Sequence, residues 1–78
     1  MTYEVIHEIF NSCSGNQMRD IFFDEKDFES VEDLEKFVRA KHDGKVGDME
    51  RTDLPDGGII FDYIIGNVKQ RHSFTPVG

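Results

Sequence analysis

The run from Gly58 to Thr75, GIIFDYIIGNVKQRHSFT, constrains this chain more than any other segment. Gly66-Asn67 sits between two β-rich runs, and Gly followed by Asn suits a type II′ two-residue turn, so the segment reads as a β-hairpin. The turn sets the register. Ile65 then faces Val68, Tyr63 faces Gln70, Phe61 faces His72 and Ile59 faces Phe74, all on one face because side chains alternate along a strand. That face is expected to be the core. The other face carries Ile60, Asp62, Ile64, Lys69, Arg71 and Ser73, with Asp62 opposite Arg71 as a favourable cross-strand pair.

Earlier in the chain, Tyr3 to Phe10 alternates with apolar residues on both faces, which predicts an interior strand with Tyr3, Val5, His7 and Ile9 on one side. The polar segment Asn11 to Gln17 contains a second Gly-Asn dipeptide before the strand-like run Met18 to Phe23, so a second hairpin is expected. If Gly15-Asn16 forms the same turn, Cys13 pairs with Met18, Ser12 with Arg19, Phe10 with Ile21 and Ile9 with Phe22. Asp24 to Ser30 reads as a polar connection. Ser30 followed by Asp33 is close to a capping box, and Val31, Leu34, Phe37, Val38 and the stem of Lys41 recur at helical spacing. Acids crowd the first turns and Arg39, Lys41 and His42 the last, as the helix dipole favours, with Gly44 as the expected stop. Val46 to Leu54 reads as a polar edge strand interrupted by Gly47. Leu54-Pro55-Asp56-Gly57-Gly58 supplies a type I turn with Gly in the left-handed position after it. Pro76-Val77-Gly78 reads as a frayed tail.

These elements predict an α+β domain of order ββαβββ: a five-stranded antiparallel sheet with one helix packed on one face, occupying residues 1–78 as a single domain. Placing the most polar strand at an edge favours the strand order 2-1-5-4-3, while 2-1-3-4-5 also keeps every pair antiparallel.

With a net charge of −7, the chain has little general affinity for phosphate backbones or anionic membranes, which are held by Lys and Arg. No apolar stretch approaches the roughly 18 residues that span a bilayer. One cysteine, Cys13, excludes an internal disulfide and an all-Cys zinc site, and the N-terminus opens on a strand pattern where a signal peptide needs an apolar run, so a cytoplasmic location is expected.

Candidates for chemistry are few. A nucleophilic Cys13 needs a base, and His7 lies six strand positions away, roughly 20 Å at about 3.3 Å per residue. The histidines at 7, 42 and 72 show no metal-ligand spacing, so no metal or cofactor is expected. His42 reads as a charge at the helix C-terminus, and His7 and His72 can meet as a pH-sensitive contact if their strands are neighbours. The most uneven feature is acidic. Residues 20–35 hold eight of the sixteen acids against the single base Lys26. Asp20, Asp24, Glu25, Asp27, Glu29, Glu32 and Glu35 form the candidate interaction surface, which otherwise serves as a solvated face. They lack the order of an EF-hand loop.

The stretch Phe10-Asn11-Ser12-Cys13-Ser14-Gly15-Asn16-Gln17-Met18-Arg19-Asp20 resembles small uncharacterised proteins encoded on conjugative mobile elements of anaerobic Firmicutes. The resemblance implies a cytoplasmic bacterial accessory protein and brings no activity with it. The leading functional expectation is a non-enzymatic interaction module, monomeric or weakly homodimeric, that binds a protein partner, basic in character, through the acidic region or a sheet edge. The alternative is a DNA-mimicking inhibitor of an anti-restriction or regulatory kind. A thiol-dependent enzyme is third. Acids spaced like phosphates along one face would favour the mimic, and acids beside exposed apolar residues would favour docking.

Overall fold

The computed structural model describes residues 1–13 and 16–77, with side chains at 1–10 and 20–77. Among these, five strands and one helix run in the order β1 (Thr2–Cys13), β2 (Asn16–Asp27), α1 (Val31–Lys41), β3 (Met49–Asp53), β4 (Ile59–Ile65) and β5 (Val68–Val77). Every neighbouring pair is antiparallel, and the sheet order is β2-β1-β5-β4-β3. The fold is therefore α+β with ββαβββ order, and the polar strand β3 takes the edge.

The β4–β5 hairpin has the register that its turn dictates: Ile65↔Val68, Tyr63↔Gln70, Phe61↔His72 and Ile59↔Phe74. Gly66 sits at φ 61°, and Asp43 is the one described non-glycine residue with positive φ, so Asn67 keeps the negative φ that a type II′ turn needs at its second position. The inward face is buried at Ile59, Phe61, Tyr63, Gln70, His72 and Phe74. On the outward face Arg71 Nε donates to Asp62 Oδ1 at 2.7 Å.

Helix α1 begins as its cap residue directs. Ser30 has extended backbone, and its Oγ accepts from the Asp33 backbone N–H at 3.3 Å. Leu34 and Val38, four apart on one stripe, are fully buried against Tyr3, Val5, Phe61 and the rest of the core. Phe28 and Phe37 meet edge to face at 5.4 Å, and both approach Phe74 in the same way, at 5.7 and 6.3 Å. The helix end differs from expectation. The stop is made by Asp43 in the left-handed region at φ 54°, with the Asp43 N–H bonded to Ala40 O at 3.2 Å and the Gly44 N–H bonded to Arg39 O at 2.8 Å. This is a Schellman pair of bonds with Gly44 one residue later than the usual glycine position.

Further boundaries differ from the sequence reading. Strand β2 continues to Asp27, so the expected connection from Asp24 is strand, zipped onto β1 through Val5↔Asp24 and Thr2↔Asp27. Pro76 and Val77 are not a frayed tail, because they pair with Tyr3 and Thr2 of β1. Strand β3 starts at Met49, and Val46 leaves the edge to enter the core. The β1–β2 register is two positions from the expected one: Phe10 pairs with Arg19, Ile9 with Asp20 and Cys13 with Asn16. A shift of two keeps every side chain on its expected face. The expected turn at Gly15-Asn16 falls partly on Gly15, which lies outside the described residues, and Asn16 belongs to β2.

Candidate functional site

Strand β2 lies at the end of the sheet, so β1 occupies one side of it and its other side is an open edge. Which residues address that edge follows from the start of the ladder. The Phe28 N–H donates to Met1 O and the Met1 amine to Phe28 O, both at 2.9 Å, so residues 1 and 28 exchange both bonds. Antiparallel ladders alternate such pairs with non-bonded ones. Residues 26, 24 and 22 of β2 therefore bond to β1, and Ile21, Phe23, Glu25 and Asp27 turn their N–H and C=O groups outward. The Glu25 N–H accordingly goes to the Asp24 carboxylate at 2.8 Å and not to β1.

The seven candidate acids are all exposed, and the fold divides them among three positions. Asp20 and Asp24, opposite Ile9 and Val5, project on the helix-bearing face of β2. Glu25 and Asp27, opposite Glu4 and Thr2, project on the open face, where the Thr2 hydroxyl donates to Asp27 Oδ1. Glu29, Glu32 and Glu35 belong to the start of α1, with Glu35 Oε2 lying 3.5 Å from Arg39 Nε. Interleaved with the strand acids are two large aromatic residues in solvent: Phe22 is 54% exposed and Phe23 70%. Phe22 nevertheless leans on the His7 ring, centroid to centroid 6.0 Å.

On the open face Phe23 pairs with Ile6, Ile6 with Ser73 and Ser73 with Ile60, so a largely apolar row crosses β2, β1, β5 and β4. Comparisons with protein-family models, curated proteins and solved structures find no match to this chain.

Behind Phe22, under the C-terminal end of α1, five polar side chains from four elements converge. The His7 ring of β1 stacks on the His72 ring of β5 at 4.0 Å. Gln70 Oε1 accepts from His7 Nε2 at 2.8 Å, which requires the proton of His7 to sit on that nitrogen. Tyr63 Oη of β4 lies 2.7 Å from His72 Nδ1 and 2.9 Å from Nε2 of His42, the C-cap residue of α1. With both imidazoles neutral, the single phenol proton serves one nitrogen while the other nitrogen donates to the phenol oxygen. His72 Nε2 is buried with no hydrogen-bond partner among the described residues.

Burial sets the protonation of this cluster. It pushes His72 down to about 3, helped by His7, Lys41 and His42, since a second positive charge in the stack is unfavourable. Burial also lowers His7 and His42, and it raises Tyr63 well above the usual phenol range. His42 is thus a neutral hydrogen-bonding partner of Tyr63, where the sequence suggested a charge at the helix end. The cluster is an uncharged polar brace at neutral pH, tying β1, β4, β5 and α1 together with His72 Nε2 left over. Among the described residues no three potential ligands form a metal site.

The expected meeting of His7 and His72 is present as a direct strand pair. Tyr63, Gln70 and His42 joining them was not foreseen, although the Tyr63↔Gln70 and Phe61↔His72 register already placed these side chains on one face next to one another. The Cys13 side chain lies outside the described ones. Among the described residues no helix is long and apolar enough to cross a membrane.

Proposed function

We propose that this chain is a non-enzymatic interaction module that binds a protein partner through the open edge of β2. One observation carries the reading: β2 turns a row of backbone donors and acceptors away from β1, with the Glu25 N–H held by the Asp24 carboxylate, while presenting Phe22 and Phe23 to solvent between Asp20, Asp24, Glu25 and Asp27. An edge of this kind is a template for another strand, and natural proteins blunt such edges with charged side chains, prolines, bulges or a covering segment. β2 carries four acids, Arg19 and Lys26 but no proline, and its pairing with β1 runs without a break. Main-chain bonds supply affinity in such a mode, apolar side chains add burial, and the charges along the strand decide which partner segment and register fit.

The division of the acids between the two faces of β2 and the helix start supports docking over imitation of a phosphate backbone, which needs one continuous face of charge. A cytoplasmic location accords with the single cysteine, and the resemblance of residues 10–20 to mobile-element proteins implies an accessory role in a bacterium.

The test is affinity capture with the tagged wild type and a Phe23→Pro variant side by side. Proline at position 23 deletes an outward N–H and leaves the bonds from β2 to β1 in place. Partners recovered by the wild type and lost with Phe23→Pro support the reading. Equal recovery by both proteins overturns it and moves attention to the acids of α1.

A further inference from the structure

We infer that the segment taken up by the β2 edge is supplied by a second copy of this chain, paired antiparallel across a two-fold axis at Phe23. The inference rests on the edge-docking reading above and names its partner.

Symmetry limits the registers. Antiparallel pairing of identical strands places the axis perpendicular to the sheet, which keeps each side chain on its own face, so the centre falls on a residue facing its own copy. The ladder from Met1 and Phe28 turns the N–H and C=O groups of Phe23 outward, so Phe23 facing Phe23 exchanges two hydrogen bonds. Glu25 of one copy then faces Ile21 of the other in the same bonded geometry, its N–H exchanging the Asp24 carboxylate for the facing Ile21 carbonyl.

Charge chooses among the centres. A centre at Phe22 sets Asp20 against Asp24 twice, a centre at Asp24 or Glu25 sets an acid against itself, and a centre at Ile21 brings no opposite charges together. The centre at Phe23 sets Asp20 against Lys26 twice and opposes no like charges. On the open face it also joins two apolar rows, because each Phe23 is flanked by Ile6 on β1. The result is one continuous ten-stranded sheet with both helices on the same side, and Phe23, 70% exposed in the single chain, covered at its centre.

The experiment is sedimentation equilibrium of the full chain from micromolar to millimolar concentration. The wild type is expected to dimerise and Phe23→Pro to remain monomeric, with its fold checked by circular dichroism. Asp20→Lys and Lys26→Asp should each weaken self-association on the order of tenfold, since two facing pairs become like-charged at once, and the double variant should recover it. Both positions are exposed, and although Lys26 Nζ lies over the Phe37 ring at 5.2 Å, circular dichroism checks the fold of these variants too, so they test the register even if the proline variant fails to fold. A monomeric wild type at every concentration overturns the inference, as does a dimer whose strength ignores both charge changes. The edge-docking reading is judged separately: a monomer that still captures a partner in a Phe23-dependent way sinks the self-pairing alone.

Discussion

His7 and His72 face each other across β1 and β5 with their rings stacked at 4.0 Å and only 18° between the planes. Among the described residues neither ring has a carboxylate partner, and burial disfavours a charge on the stack. In the folded chain His72 is held down to about 3, against an ordinary value of 6.5 that the unfolded chain restores. Below 6.5 the unfolded state therefore binds a proton that the native state refuses. The stabilisation is complete above that pH and is lost as the pH falls toward 3, at about 1.4 kcal/mol per pH unit for one such histidine. His7 and His42, also lowered, add to the loss in the upper part of this range. Urea midpoints between pH 7.5 and 4.5, set by buffer choice, should fall steeply for the wild type and less steeply for His72→Phe. Equal slopes would show that the stack does not govern acid sensitivity.

Asp43 occupies the left-handed position that ends α1, at φ 54°. A glycine there avoids the clash that a Cβ makes in this region. Asp43→Gly is expected to raise stability by about 0.5–1 kcal/mol, read as a higher urea midpoint at unchanged slope. Gly44→Ala, at φ 72° with open space around its Cα, should lower it through backbone strain alone. A lower midpoint for Asp43→Gly would mean that its carboxylate contributes more than its backbone conformation costs.

Leu34 is completely buried, whereas Phe37 is half-buried on the same helix. Leu34→Ala should therefore cost about 2–5 kcal/mol, against roughly 3–5 kcal/mol expected from a single core in a chain this short. Circular dichroism at room temperature should show a largely unfolded protein. Phe37→Ala should be milder, since the ring keeps part of its surface in water. Native-like Leu34→Ala would place the core elsewhere.

Replacing Asp27, Glu29, Glu32 and Glu35 by Asn or Gln should leave the fold intact, because all four side chains are exposed and Ser30 still caps the helix. With a basic partner in hand, affinity should drop most at low salt, where the Debye length is about 30 Å at 0.01 M against about 8 Å at 0.15 M. Affinities measured across a salt series, equal for both proteins and flat with salt, would reduce these acids to a solvated face.

Elements with local causes were legible without coordinates. Gly66-Asn67 dictated the β4–β5 register through turn geometry, Ser30 and the apolar stripe marked α1, and the polarity of β3 sent it to the edge. Each of those signals lies within a few residues of its consequence. The β1–β2 hairpin shows where such signals lose force. Its ladder pairs Cys13 with Asn16, two positions from the register expected of a Gly15-Asn16 turn, and extends through Asp24 to Asp27. That polar run becomes strand because β1 offers bonding partners as far as Thr2.

The seven acids were identifiable as a charged cluster, but their separation onto two faces of β2 and the first turns of α1 is a tertiary fact. The same holds for the imidazole brace. His7, His42, Tyr63, Gln70 and His72 are spread over most of the chain and carry no shared spacing, so only the placement of β5 between β1 and β4, with the end of α1 above them, brings the rings into contact. The amino-acid order alone determined the register and core face of the β4–β5 hairpin and which stripe of the helix is apolar, because those depend on turn geometry and side-chain periodicity. The folded sheet decided which strand edge is left open and which titratable groups lose their water, because both depend on neighbours distant in the chain.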